Sequence, residues 1–351
     1  MSEVRWSTEK ANAWYKEKGW LLGCNYAPST AVNQLEMWEK ETFDPITIDR
    51  ELGWAEDLGF NTIRVFLHHL LWEHDAEGLK GRMDEFLTIA ARHRLGVMFV
   101  IFDGVWNPHP TIGHRECLPG VHNSGWLQSP GVEILKDINR HSELRSYVEG
   151  VIGHFANDTR IHCWDIFNEP DNINPTSYQK YEPNNKADLS LCLLKKAFSW
   201  ARSVRPSQPL TSGVWVGEWC EEQLTPLDRF MLTASDIITF HNYDGPDEMT
   251  RRIRILQRFG RPILCTEYMA RGRNSTFQSI LPILKEYNVG GYNWGFVEGK
   301  TQTTFPWDSW TTNYNGPPPL WFHDIFHFDG KPYKQEEVHF ILTLKQQPSS
   351  Y

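Results

Sequence analysis

Apolar residues recur along the chain in two alternating rhythms, a helical one spaced three and four apart and short continuous runs of four to eight that suit buried strands. A leading helix is predicted over Thr8 to Lys18, stopped at Gly19, before a strand from Trp20 to Tyr26. Asp44-Pro45 opens a helix whose Ile48, Leu52, Ala55 and Leu58 share one face, closed by Gly59, and the strand Phe60 to Leu67 follows. The same unit then repeats. Helix Leu79 to Leu95 leads to strand Val97 to Asp103, helix Glu143 to Phe155 to strand Ile161 to Phe167, and helix Lys186 to Val204 to strand Leu210 to Trp215. Helix Glu221 to Thr233 leads to strand Ile237 to Tyr243, helix Glu248 to Phe259 to strand Pro262 to Thr266, and helix Phe277 to Tyr287 to strand Val289 to Trp294. A last helix, Lys334 to Leu344, is expected outside the array, with a frayed tail from 346 to 351.

Eight apolar strands alternating with helices imply a closed parallel (β/α)8 barrel, the less favoured arrangement being a doubly wound sheet. No composition shift marks a boundary, so residues 1–351 read as one domain. Two stretches break the rhythm. Gly104 to Pro130, with four prolines, four glycines and three histidines, is too long for an ordinary connection, and Gly299 to Trp321 is comparable. In a barrel both would rise from the face where strands end, which is where sites of this architecture lie.

Composition excludes more than it assigns. With 40% hydrophobic and 23% charged residues and no apolar run near 18 residues, the chain reads as globular rather than membrane-spanning. A net charge of -9 disfavours nucleic acid as a partner. The six cysteines lack CxxC spacing and three of them, Cys24, Cys163 and Cys265, fall in apolar strands, so a zinc or redox pair is not expected and a reducing compartment is. The first residues as given carry no apolar signal segment, so a cytoplasmic location is expected, or a secreted one where a signal has been removed. The 16 tryptophans are an excess that a packed core and sugar-stacking surfaces would share.

The chemistry is written at the strand exits. Cys163-Trp164-Asp165-Ile166-Phe167-Asn168-Glu169-Pro170 is an apolar strand ending in Asn-Glu, and the proline is expected to hold Glu169 in extended geometry. Leu264-Cys265-Thr266-Glu267 is a second strand ending in glutamate. Two carboxylates converging on one cavity are the minimum for glycoside hydrolysis. Arg64, inside an apolar strand, needs a carboxylate partner, and Glu267 is the expected one. Asp103, Trp294 and the alternating pair His241 and Tyr243 stand at other exits. Each alone has a structural reading: a loop glutamate, a hydrogen-bonding histidine, a rim tryptophan. Their combination is what points to a site.

Phe167-Asn168-Glu169-Pro170 taken with Arg64, His241, Tyr243, Glu267 and Trp294 resembles glycoside hydrolase clan A and, within it, family 5, over residues 20 to about 300. The resemblance implies a retaining β-glycosidase with Glu169 as general acid/base, Glu267 as nucleophile and Asn168 on the sugar 2-hydroxyl. Arg64, His241, Tyr243 and Trp294 would then orient the carboxylates and floor the site, without cofactor or metal. The chain departs from many members by having Asp103 at the end of the third strand, where they carry a histidine; His109, His114 and His122 lie in the following loop instead. Trp307 is expected to cover a terminal sugar, and the two long loops to wall a groove into a pocket, favouring exo action on gluco- or manno-type oligosaccharides. The alternatives are an endo-β-1,4-glycanase of cellulase, mannanase or xylanase type and, remotely, a non-catalytic carbohydrate-binding barrel.

Overall fold

The computed structural model describes residues 5–347. Eight strands form one parallel sheet: β1 (Leu22–Asn25), β2 (Thr62–Phe66), β3 (Gly96–Asp103), β4 (Ile161–Asn168), β5 (Leu210–Thr211), β6 (Ile238–His241), β7 (Ile263–Tyr268) and β8 (Gly290–Asn293). Their order is β5-β4-β3-β2-β1-β8-β7-β6, and β1 pairs with both β2 and β8. The last seam, between β5 and β6, is closed by a single parallel bridge from Val214 to Phe240. Hydrophobic patterning therefore gives a (β/α)8 barrel, as expected. The strands are buried on both faces because helices cover the outside and side chains fill the inside.

Inside, the filling is stratified. Leu21, Met98, Cys163, Ile237, Leu264 and Tyr292 make an apolar layer with Ala11 and Tyr15 of the Thr8–Lys18 helix, which plugs the end where the strands begin. That helix is capped by Ser7, whose side chain accepts from the Lys10 N–H at 3.2 Å. Above the apolar layer the interior turns polar, with Arg64, Asp165 and Glu267 all buried. Among the described residues this apolar floor closes one end of the barrel, and the polar layer lies toward the strand exits.

Several elements differ from their expected bounds for local reasons. β5 stops at Thr211 because the next N–H, of Ser212, donates to the Ser235 hydroxyl (3.1 Å) rather than to a neighbouring strand. The predicted helix from Leu79 belongs to a longer one, His69–Arg92, interrupted at Asp75, whose φ of -155° is not helical and whose carboxylate accepts from Gly78 N–H at 3.0 Å as a fresh N-cap would. The helix predicted from Glu221 begins instead at Pro226, after a capping box between Thr225 and Asp228. The final helix runs Gln335–Gln346, so the tail predicted from 346 lies, beyond residue 347, outside the described residues. Among the described residues no helix is long and apolar enough to cross a membrane.

The two long excursions are joined to each other. Asn123 N–H donates to the Thr301 carbonyl (2.9 Å), His122 N–H to the Ser309 hydroxyl (2.9 Å), and Gly120 N–H to the Gln302 side chain (2.7 Å). Gln302 returns a bond to the Leu118 carbonyl at 2.8 Å. A continuous rim stands over one side of the barrel mouth.

Candidate active site

Arg64, from the middle of β2, organises the polar layer. All five of its N–H donors are used: Nε and one Nη2 bond to Asp165 Oδ2 (3.2 and 2.8 Å), the other Nη2 bond goes to Asn168 Oδ1 (2.6 Å), and Nη1 serves Asn25 Oδ1 (2.8 Å) and Glu267 Oε1 (3.0 Å). The expected Arg64–Glu267 pair is present, but Asp165 shares the guanidinium, and the sequence reading passed over it as one more residue of an apolar strand. A buried guanidinium needs such compensation.

Glu267 reaches the cavity from β7, whose pairing with both neighbours shifts register near the exit, at Phe240/His241 and between Cys265 and Tyr268. Such irregularities re-aim side chains at a strand end. Tyr243 donates its hydroxyl proton to Glu267 Oε2 at 2.7 Å, and His241 Nδ1 stands 2.8 Å from Glu169 Oε1 and 3.6 Å from Glu267 Oε2. Glu169, His241 and Glu267 each place a polar atom within 4.8 Å of the others. Carboxyl groups about 5 to 5.5 Å apart suit a double displacement, whereas about 6.5 to 9.5 Å would leave room for water between them.

Glu169 is not extended, contrary to the expectation drawn from Pro170: its φ is 41°. Strain at a non-glycine residue of this kind is sustained only where the surroundings hold it. They do so through Gly104, where a Cβ would collide with the Glu169 carbonyl oxygen, and whose N–H donates to the Asn168 carbonyl at 2.9 Å. Asn172 Nδ2, two residues past the proline, donates to Glu169 Oε2 at 2.7 Å. Lys186, buried in an ion pair with Glu182 (2.9 Å), ties the same turn to the first excursion through the Gly104 and Asn172 carbonyls (3.0 and 2.5 Å).

Burial is the largest influence on each ionisable group here. Burial pushes the Glu169 carboxyl up to about 7, with Asn172 pulling the other way. Burial also raises Glu267, and the neighbouring Glu169 charge adds to the rise, against the pull of His241, Arg64 and the Tyr243 hydrogen bond. Burial lowers His241 to about 4, so the imidazole is neutral near pH 7. Glu169, His241 and Glu267 could together present three ligand atoms to a cation, but Arg64 already stands as a fixed positive charge on Glu267.

These side chains open into a cavity of about 280 Å³ lined by Asp103, Asn168, Glu169, Trp215, Tyr243, Glu267, Trp294 and Trp307, with Trp106, His122, Asn123 and Trp126 from the first excursion. Its size is close to the lower end for small-ligand pockets, about 300 Å³. Asp103 has both oxygens engaged by the protein: Oδ1 by Asn168 Nδ2 (3.0 Å) and Val105 N–H (3.1 Å), Oδ2 by Trp126 Nε1 (2.7 Å) and Gln34 Nε2 (3.2 Å). It holds Asn168 and Trp126 in place. Of the loop histidines only His122 lines the cavity, while His109 and His114 are exposed. Trp307 packs edge-on against Tyr243, ring centres 5.0 Å apart, and Trp310 stacks on Trp106 at 5.4 Å behind the lining. Sequence reasoning missed Asp165, Asn172, Asn123, Trp106 and Trp126; only Asp165, a charge inside an apolar run, left a signal that could have been followed.

Fold and site together describe an α/β barrel with a buried carboxylate pair at its strand exits. No protein-family profile and no curated protein matches the sequence. Solved structures do match the fold. A GH5_18 protein from Streptomyces cattleya, in complex with GlcNAc, matches with a TM-score of 0.63 at 13% identity, over 95% of this chain and 82% of that one. The exo-β-1,4-mannosidase of Opitutaceae bacterium strain TAV5 matches with a TM-score of 0.60 at 16% identity, over 93% of this chain and 59% of that one. The endo-β-1,4-mannanase of Thermotoga petrophila gives 0.60 at 14%, over 96% of this chain and 78% of that one. At these identities the likeness is one of fold.

Proposed function

We propose that residues 1–351 form one catalytic domain, a retaining β-glycoside hydrolase that removes sugars from the end of short β-linked oligosaccharides of gluco or manno type. The observation that carries the reading is the carboxylate pair: one member held by Arg64 and Tyr243, the other buried and pushed to about 7, with oxygens within 4.8 Å. Glu267 attacks the anomeric carbon as the glycosidic C–O bond breaks, and Glu169 delivers its proton to the leaving oxygen. Esterified, Glu267 no longer carries charge, so Glu169 ionises more readily. It then takes a proton from water as that water attacks the anomeric carbon, which frees Glu267 and restores the acid. Asn168, fixed at its carbonyl by Arg64, keeps one amide proton for a sugar hydroxyl. Trp294 and Trp307 supply apolar faces for the ring.

Fold similarity to mannosidases and mannanases favours the manno side and is compatible with either mode of attack. The joined excursions favour chain-end action. Six free cysteines, three of them buried, suit a reducing compartment and hence a cytoplasmic enzyme acting on imported oligosaccharides. The test is stereochemical. Proton NMR of the first-formed product from an aryl β-mannoside or β-glucoside should show the β-anomer before mutarotation; the α-anomer would overturn double displacement, and no turnover on any β-glycoside would leave the binding-barrel alternative.

A further inference from the structure

Every carboxamide lining the cavity has protein partners for both its oxygen and its nitrogen, with one exception. Asn168 bonds through both ends to Arg64 and Asp103, Asn172 to Glu169 and the Asn174 N–H, and Asn174 to Glu182 and the Trp106 N–H. Asn123 is 1% exposed, yet neither its Oδ1 nor its Nδ2 has a hydrogen-bond partner. It lines the 280 Å³ cavity and also a smaller void that shares Trp126 and Trp294 with it. A buried amide left unpaired opposes folding.

Its backbone adds a second unfavourable feature. Asn123 has φ of 50°, in the left-handed region, where it is held by its N–H bond to Thr301 across the two excursions (2.9 Å) and by accepting from Trp126 N–H (3.0 Å). Asparagine tolerates that region better than most residues. Strain and an unsatisfied donor–acceptor pair thus coincide at one residue of the cavity wall, the pattern of a group kept for a ligand.

We infer that Asn123 is a specificity-determining residue that reads a hydroxyl of the sugar in the cavity, its carbonyl oxygen accepting from that hydroxyl or its amide donating to it. This rests on the glycosidase reading above. A carboxamide offers one acceptor and one donor group, and a sugar hydroxyl is both, so a hydroxylated ring in the site can satisfy the residue. An analogue lacking that hydroxyl leaves the amide unpaired again, which is how polar pockets discriminate.

The experiment compares the wild type with Asn123→Gly, which suits the left-handed backbone, and with Asn123→Asp, which keeps the shape and the acceptor but loses the donor. Each is assayed on an aryl β-mannoside or β-glucoside and its monodeoxy derivatives. On the full substrate kcat/KM should fall roughly 10- to 100-fold in Asn123→Gly, the range expected for losing a buried hydrogen bond to substrate. Its Tm should stay level or rise, because the unpaired amide is gone. For one deoxy position the difference between wild type and variant should vanish, and that position is the hydroxyl read. An active wild type with both variants unchanged overturns the inference, as does a lowered Tm with the same proportional loss on every derivative. A wild type inert to all aryl β-glycosides overturns the glycosidase reading itself. Should Asn123→Gly not fold, Asn123→Asp carries the same comparison.

Discussion

In the proposed double displacement, Glu169 is the residue whose environment sets the pH behaviour. Burial raises its carboxyl to about 7, so the protonated form needed to release a poor leaving group is present below that pH and lost as pH rises through it. The basic limb of kcat/KM for an unactivated β-oligosaccharide should therefore have an apparent pKa near 7, a property of the coupled pair with Glu267. In Glu169→Gln that limb should disappear, with hydrolysis of unactivated substrates falling about 100-fold or more while glycosylation by a dinitrophenyl glycoside is largely kept. Equal loss on both substrates would count against the acid assignment. Arg64 makes a different prediction. Because it compensates Asp165 as well as Glu267, Arg64→Met should do more than shift the acidic limb upward; leaving two buried carboxylates unpaired should cost about 3 to 5 kcal/mol in chemical denaturation. A stable variant with an unchanged pH profile would show that neither carboxylate depends on it. Glutamates at strand exits were legible because they interrupt apolar runs. Asp165 was hidden by its neighbours, and Asn123 by lying in a loop whose path no periodicity encodes.

The strand and the turn that follows it decide where Glu169 points. β4 delivers Asn168 at its end, and the chain then turns through a left-handed Glu169 that fits only because Gly104, just past β3, has no side chain. Gly104→Ala should push the Glu169 carbonyl away, costing about 1 to 3 kcal/mol of stability and, through a misplacement of the order of 1 Å, about 100-fold in kcat/KM. Activity equal to wild type would mean that the turn is free to re-form around the methyl group. All eight strands were legible, since a strand covered on both faces must be apolar throughout and glycine or a cap marks several helix ends. The bounds were less so. β5 was read to Trp215 because its residues are apolar or small, yet a single hydroxyl at Ser235 diverts its ladder after Thr211. The extended Glu169 failed for a related reason: the local preference imposed by Pro170 is outweighed by hydrogen bonds from Asn172 in the same turn and from Gly104 and Lys186 elsewhere in the chain.

Across the barrel mouth, the proposed choice between a pocket and a groove rests on the joined excursions. The sequence showed two long loops after the third and eighth strands, but not that Gln302 would bind them together, accepting from Gly120 N–H at 2.7 Å and donating to the Leu118 and Val121 carbonyls at 2.8 and 3.2 Å. If the wall on that side closes the path of a polymer past the cavity of about 280 Å³, as the proposed chain-end action requires, cleavage should begin at a chain end. With a β-1,4-mannohexaose or glucohexaose labelled at its reducing end, monosaccharide should appear first, together with labelled pentaose. Gln302→Ala removes three of the bonds holding the wall while touching none of the carboxylates. Its kcat on an aryl β-glycoside should stay within about twofold, KM should rise, and labelled di- and trisaccharides should enter the early products as longer chains thread the loosened rim. Early labelled dimers and trimers from the wild type, or falling viscosity of a soluble mannan, would instead mean that the substrate passes along a face the excursions do not block. In that case Gln302→Ala should leave the product pattern unchanged, because a wall that does not exclude the chain cannot admit it when removed.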